Sequence, residues 1–290
     1  MQLKRRDFLA FGVGLALGPT WAWMQKQRAV VANSPQVPLL RFVAVADTGT
    51  GAEGQYAVAN AMQAWYKRHP FSLVALAGDN IYNDGEIEKI GAVFEKPYQG
   101  LLESGVKFYA CLGNHDIRTH NGEDQIHYPG FNMSGRYYTF TQGPVQFFAL
   151  DTNGGNHWDA QLAWLKEQLS KSTAAWKVVF GHHPIYSSGI YGTNPAMVEQ
   201  FTPLFEKYRV QLYINGHEHN YERSNPIKGT TYLTVGAGAG IRPVDRSGWT
   251  AYSASRLSFA SLDVWANQLI IRTVGTDGQV FDQGVIERVS

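Results

Sequence analysis

Short, largely apolar runs recur along the chain at 41–46, 72–77, 106–112, 145–150, 176–180 and 210–214. They are rich in Val, Leu, Phe and Ala and do not alternate strictly with polar residues. That pattern predicts strands covered on both faces. Between several of them, apolar residues fall at helical spacing: over 54–68, where Tyr56, Ala57, Ala61, Ala64 and Trp65 recur, and over 86–103, 158–171 and 195–208. Alternating strands and helices predict an α/β sheet. The last third changes character. Runs at 230–236, 257–264, 268–274 and 279–287 are separated by turn signals such as Ala266-Asn267 and Asp277-Gly278, which predicts antiparallel β structure.

The start of the chain follows different rules. Lys4, Arg5 and Arg6 precede an apolar, glycine-rich stretch from Phe8 to Trp23, the layout of a secretory signal. Arg5-Arg6-Asp7-Phe8-Leu9 resembles a twin-arginine export signal. The stretch is short and interrupted by Gly and Pro19, so a stable membrane-spanning anchor is not expected. We therefore read 1–32 as a twin-arginine-type signal peptide, with cleavage after Ala32 or Ala22, 33–40 as a linker, and 41–290 as one catalytic domain. This reading implies passage through the twin-arginine export machinery and a periplasmic or secreted location. The protein would cross the membrane already folded.

Composition narrows the function classes. With 44% hydrophobic and 17% charged residues, the chain has the means to bury a core. A net charge of +1 offers no global basic field, and no basic, aromatic-interleaved stretch suggests a nucleic-acid partner. The single cysteine, Cys111, excludes an intrachain disulfide and lies in an apolar run, where a small core residue is expected.

The chemistry lies where the runs stop. Phe42–Ala46 leads into Asp47-Thr48-Gly49, and Leu73–Ala77 into Gly78-Asp79-Asn80-Ile81-Tyr82. Phe108–Leu112 leads into Gly113-Asn114-His115-Asp116 and Val178–Phe180 into Gly181-His182-His183. Leu212–Ile214 leads into Asn215-Gly216-His217-Glu218-His219. The carboxyl ends of strands form the ligand crevice of an open α/β sheet, so these distant segments are expected to meet. Taken singly, each has an ordinary explanation: a turn, a helix cap, a packed tyrosine or a core histidine. Together they supply mixed oxygen and nitrogen donors, which suit Fe, Mn or Zn rather than Ca or a thiolate cluster. On extended backbone His217 and His219 face the same way.

In order, these five motifs resemble those of the calcineurin-like metallophosphoesterase superfamily, from about Phe42 to Gly240. Tyr82 makes the set similar to the small, mammalian-type purple acid phosphatases. The resemblance implies an α/β (α+β) fold, a four-layer sandwich of two mixed β-sheets flanked by α-helices. It also implies two metal ions. Asp47, Asp79, Tyr82 and His219 would hold Fe(III). Asp79 would bridge to Fe(II), Zn(II) or Mn(II), completed by Asn114, His182 and His217. Two departures stand out. Ala46 occupies a position often held by glycine, and Tyr191 occupies the position, nine residues after His182, where small members carry an active-site histidine.

The expected reaction is hydrolysis of a small phosphorylated substrate, a phosphate monoester, by in-line attack of a metal-bound hydroxide without a phosphoenzyme. Asp47, Asp79 and a Tyr82 phenolate bring three negative charges against five on a ferric–divalent pair, so an anionic substrate is attracted. His115 is the main candidate proton donor, with a role in orienting Asn114 as its alternative. Asp116 is expected to orient His115 or to cap the following segment, and His183 is a second candidate acid. His69, His120, His127 and His157 sit in polar stretches and are expected in solvent. Tyr186, Tyr191 and Tyr221 either line the pocket or pack. The alternatives are a phosphodiesterase on the same metals, a secreted binding protein with a vestigial site and a nuclease, the last disfavoured by the balanced charge.

Overall fold

The computed structural model describes residues 37–154 and 158–288. The signal segment, the first half of the proposed linker (33–36) and His157 lie outside them.

Strand β1 (Leu40–Val45) shows how the sequence builds the layers. Its side chains alternate, Phe42 and Ala44 entering one core and Val43 and Val45 another. Both faces are buried, so the run reads as continuously apolar. β2 (Leu73–Leu76) and β3 (Lys107–Ala110) extend the sheet in parallel. On the other side, β11 (Ser258–Val264), β12 (Gln268–Gly275) and β13 (Val280–Glu287) add antiparallel strands, giving the order β13-β12-β11-β1-β2-β3. The second sheet also mixes directions. β5 (Val145–Ala149), β6 (Trp176–Phe180), β7 (Leu212–Asn215) and β9 (Thr231–Val235) run parallel. β4 (Tyr138–Gln142), β8 (Tyr221–Ser224) and β10 (Thr250–Ala254) complete the order β10-β8-β9-β7-β6-β5-β4.

The largest core lies between the sheets. Phe42, Ala44, Leu73 and Ala75 from one meet Phe147, Val178, Phe180 and Leu233 from the other. The Phe42 and Phe147 rings meet edge to face at 5.1 Å. Outside the first sheet, α1 (Glu53–Arg68) buries Val58, Met62 and Trp65 against Val43, Val74 and Phe108. Outside the second, α4 (Trp158–Lys171) and α5 (Pro195–Tyr208) bury Leu165, Leu169, Phe201 and Phe205 against Phe148 and Val179. The result is the helix–sheet–sheet–helix sandwich expected from the resemblance. None of the described helices is long and apolar enough to cross a membrane.

One expected helix is a correction. Residues 86–103 do not form a continuous helix but a 3₁₀ turn at Ile87–Lys89, a π-turn at Gly91–Glu95 and a short α2 at Gln99–Glu103. Gly91, Pro97 and Gly100 fall inside the stretch, and a mid-segment proline removes a donor and breaks the helical ladder. A short α3 (Glu123–Ile126) and three strands (β4, β8 and β10) were not predicted. Their polar, aromatic sequences carry too few apolar residues to stand out. β4 and β10 lie at the sheet edge.

Registers align the strand ends. Val45 pairs with Leu76 and Leu76 with Ala110 in one sheet, and Ala149 with Phe180 and Phe180 with Ile214 in the other. Each parallel strand therefore delivers its following loop to the same edge.

Candidate metal centre

Asp47, Asp79 and His182 are buried, with ligand atoms within 4.8 Å of one another. Around the Tyr82 hydroxyl lie Asp79 Oδ2 at 2.9 Å, Asp47 Oδ1 at 3.2 Å and His219 Nε2 at 3.2 Å. Around Asn114 Oδ1 lie His217 Nδ1 at 2.9 Å and His182 Nε2 at 3.1 Å. Asp79 faces both groups, because its Oδ1 lies 3.5 Å from His182 Nε2. The seven residues singled out from the sequence thus come together in two adjoining sets that share Asp79.

The backbone is bent to make this possible. Asp47, Asp79 and His217 adopt left-handed φ angles of 57°, 52° and 68°, each a cost of about 1–3 kcal/mol for a residue with a side chain. Hydrogen bonds between loops from different parts of the chain hold these turns. His217 N donates to Asp47 Oδ2 at 2.9 Å, and His115 N donates to Asp79 Oδ1 at 2.9 Å. Glycines let the loops touch. A Cβ on Gly113 would lie 2.2 Å from Asp79 N and Oδ1, and one on Gly216 would lie 2.3 Å from Asp47 Oδ2.

The donor set fits metal ions. Two donors bound to one ion at about 2.1 Å and at right angles stand about 3.0 Å apart, close to the 2.9–3.5 Å spacings within these sets. Tautomers agree. His182 Nδ1 lies 3.0 Å from the Ala77 carbonyl, which can only accept, so Nε2 is left free toward Asn114. Burial, followed by the charge of His182, holds His217 down to about 3, so it is neutral and able to bind. For His182 burial acts in the same direction, but the Asp79 and Asp47 carboxylates outweigh it and raise its pKa. Burial and then the same two carboxylates push the Tyr82 phenol far up. A phenolate here therefore needs a strong cation beside it.

The three expected catalytic residues occupy different positions. His115 lines a cavity of about 400 Å³ with Asp47, Tyr82 and His219. Its Nδ1 donates to Asn83 O at 2.5 Å, and its Nε2 lies 3.9 Å from Asp79 Oδ2. His183 lies beside the second set, its ring 4.6 Å from that of His217. Thr152 Oγ1 accepts from the backbone N–H of His182 and of His183. With both acceptor positions filled, its own proton goes to His183 Nδ1 at 2.9 Å. Burial, and then His182 and His217, hold His183 down to about 2, which makes it a neutral hydrogen-bond group rather than a ready acid.

Asp116 is a correction. It neither orients His115 nor caps the next segment. Its fully buried carboxylate accepts from the backbone N–H of Asn80, Ile81 and Gly113 and from Gln125 Nε2. Burial and then Asp79 push its pKa up to about 7, yet every one of these partners is a donor, so the carboxylate is the form they hold. Asp116 ties the Asp79 loop to the Asn114 loop from a fully buried position.

Other residues were not foreseen. Thr152 follows β5, a sixth strand ending in a polar Asp151-Thr152-Asn153 segment, and that shared pattern was the available signal. Arg242 lines the cavity, but no motif marked it. Among the histidines assigned to solvent, His120 and His127 are exposed, while His69 is half-buried against Trp65 at 4.2 Å. Tyr186 packs on Tyr232, and Tyr221 is buried and bonded to Asp282. Cys111 is buried, and burial pushes its thiol well up, in keeping with a core role.

Fold and site together define a metal-dependent phosphoesterase. The family model for the calcineurin-like phosphoesterase matches residues 40–221, and the chain belongs to that family. It is 29% identical over 231 residues to purple acid phosphatase 7 of Arabidopsis thaliana, covering 69% of this chain and 70% of that protein. It is also 29% identical over 248 residues to tartrate-resistant acid phosphatase type 5 of Homo sapiens, covering 72% and 76%. The structure of purple acid phosphatase PPD1 from yellow lupin seeds shares the fold with a TM-score of 0.75 at 20% identity, over 87% of this chain and 54% of that one.

Proposed function

We propose that the protein hydrolyses phosphate monoesters at a dinuclear centre held by Asp47, Asp79, Tyr82 and His219 on one side and by Asn114, His182 and His217 on the other. The observation that carries this reading is the placement of Asp79 between two donor sets with coordination-like spacing. Two bound cations would lower the pKa of a water and neutralise phosphoryl oxygens. The chain's own groups do the rest. The bond from the water oxygen to phosphorus forms as the bond to the leaving alcohol breaks. In its imidazolium form His115 supplies the proton to the leaving oxygen from Nε2 and remains the Nδ1–H tautomer that donates to Asn83 O. Iron at the Tyr82 side is favoured by the phenol, and Fe, Zn or Mn by the nitrogen-rich side.

A phosphodiesterase is the second reading, and it uses the same donors. The two are separated by comparing p-nitrophenyl phosphate with bis(p-nitrophenyl) phosphate on metal-loaded protein. The monoester is expected to be the better substrate, and the reverse order would move the assignment. Metal analysis is expected to give two ions per chain and a visible absorption band that disappears in Tyr82→Phe. A colourless, active two-metal protein would remove iron–phenolate from the proposal. The Arg5-Arg6 segment supports export by the twin-arginine route, and Arg5-Arg6→Lys-Lys is expected to retain the protein inside the cell.

A further inference from the structure

Arg242 is held at the cavity by parts of the candidate centre itself. Its backbone N–H donates to His219 O at 2.6 Å, and its Nη1 donates to His217 O at 3.1 Å. Its guanidinium lies 5.6 Å from the centroid of the Tyr191 ring, which in turn stacks on the His217 imidazole at 4.3 Å and 29°. Tyr191 is fixed from behind, its N–H donating to the buried Glu218 Oε1 at 2.6 Å. An arginine so clamped loses little freedom when it binds an anion. Of its five donors, Nη1 is used, and among the described residues no carboxylate pairs with it. Its other guanidinium N–H groups make no hydrogen bond among the described residues.

The cavity that Arg242 shares with Asp47, Thr50, Tyr82, Asn83, His115, His219 and Gly240 encloses about 400 Å³. That is within the range of small-molecule sites and larger than one phosphoryl group requires. Beside it the surface turns apolar: Ile190, Tyr191 and Ile241 are 64%, 58% and 54% exposed. Exposed apolar residues flanking a lone fixed cation suit a ligand with an apolar body and an anionic tip.

We propose that Arg242 is a specificity-determining residue that binds a second anionic group on the substrate's leaving group, so that the preferred substrates are phosphomonoesters whose alcohol joins an apolar body to a carboxylate or phosphate. The inference rests on the phosphomonoester reading for the reaction, while Arg242 itself acts in binding.

The test uses the full, metal-loaded chain and two readouts. Hydrolysis of phenyl phosphate, meta-carboxyphenyl phosphate and meta-phenylene bisphosphate gives kcat/KM. Calorimetry with the corresponding non-hydrolysable phosphonates gives Kd. Wild type is expected to prefer the doubly anionic compounds, and the better of the two identifies carboxylate or phosphate as the tip. Arg242→Gln is expected to lower kcat/KM and weaken Kd for those compounds by about 10- to 100-fold more than for the phenyl compounds, the span of a hydrogen bond to a charged group. Arg242→Lys, which keeps charge without the planar fork, is expected to lose part of the preference and serves the same comparison should the glutamine variant not fold. An equal loss on all compounds, or no loss on any, overturns the assignment. A wild type that binds the phosphonates with this preference but cleaves none of the esters leaves Arg242 assigned and overturns the phosphatase reading instead.

Discussion

His115 shows how one residue's neighbours decide its use. Its Nδ1 is committed to the Asn83 carbonyl, its Nε2 lies 3.9 Å from Asp79 Oδ2, and the residue lines the cavity. As leaving-group acid it should matter most for poor leaving groups. His115→Ala is expected to lower kcat on phenyl phosphate by about 10²- to 10³-fold but to leave p-nitrophenyl phosphate within about tenfold of wild type. Equal losses on the two esters would assign His115 to binding. Asp116 makes the opposite case, a motif residue that reads as catalytic and serves as a tie. In Asp116→Asn the amide N–H₂ would face the donors of Gly113, Asn80 or Gln125. Urea unfolding should show a loss of about 1–3 kcal/mol, and metal titration an affinity about 10- to 100-fold weaker. Residue identity announced donors such as Asp47 and His219 through their motifs. It did not announce Arg242, whose role depends on contacts with His217, His219 and Tyr191.

At the scale of elements, the parallel strands carry the site on the loops that follow them. Their apolar runs were legible because both faces are buried: β1 alternates Phe42 and Ala44 with Val43 and Val45 between two cores. α4 and α5 were legible through helical spacing, whereas 86–103 imitated that spacing across Pro97. β4, β8 and β10 were not legible, because YTFTQ, YERS and TAYSA contain no apolar run. The strand-end loops work only when their backbones approach closely. Gly113→Ala would place a methyl group 2.2 Å from Asp79 N and Oδ1, and the Asp79 turn must then move. The variant is expected to keep the sheet signal in circular dichroism yet to bind less than one metal per chain by elemental analysis.

On the scale of the whole molecule, the candidate centre joins the two sheets, with Asp47, Asp79 and Asn114 following strands of one and His182 and His217 following strands of the other. Ions bound there would cross-link the sandwich at its edge. Metals at 100 times their dissociation constant add about 2.7 kcal/mol, so chelation is expected to lower the Tm by about 5–10 °C for a domain of this size and to abolish activity together. Readdition of metal should restore both, and a Tm indifferent to chelator would argue against this bridging. The sequence alone determined the strands buried on both faces, the helices that cover them and the chemical identity of the donors, because burial and metal affinity select residue types locally. Tertiary structure decided what no local pattern encodes: that strand ends from two sheets meet, that Asp79 faces both donor sets, that Asp116 turns inward to bind backbone, and that Arg242 stands over Tyr191. Those outcomes depend on distances between segments far apart in the chain, and register and packing set those distances.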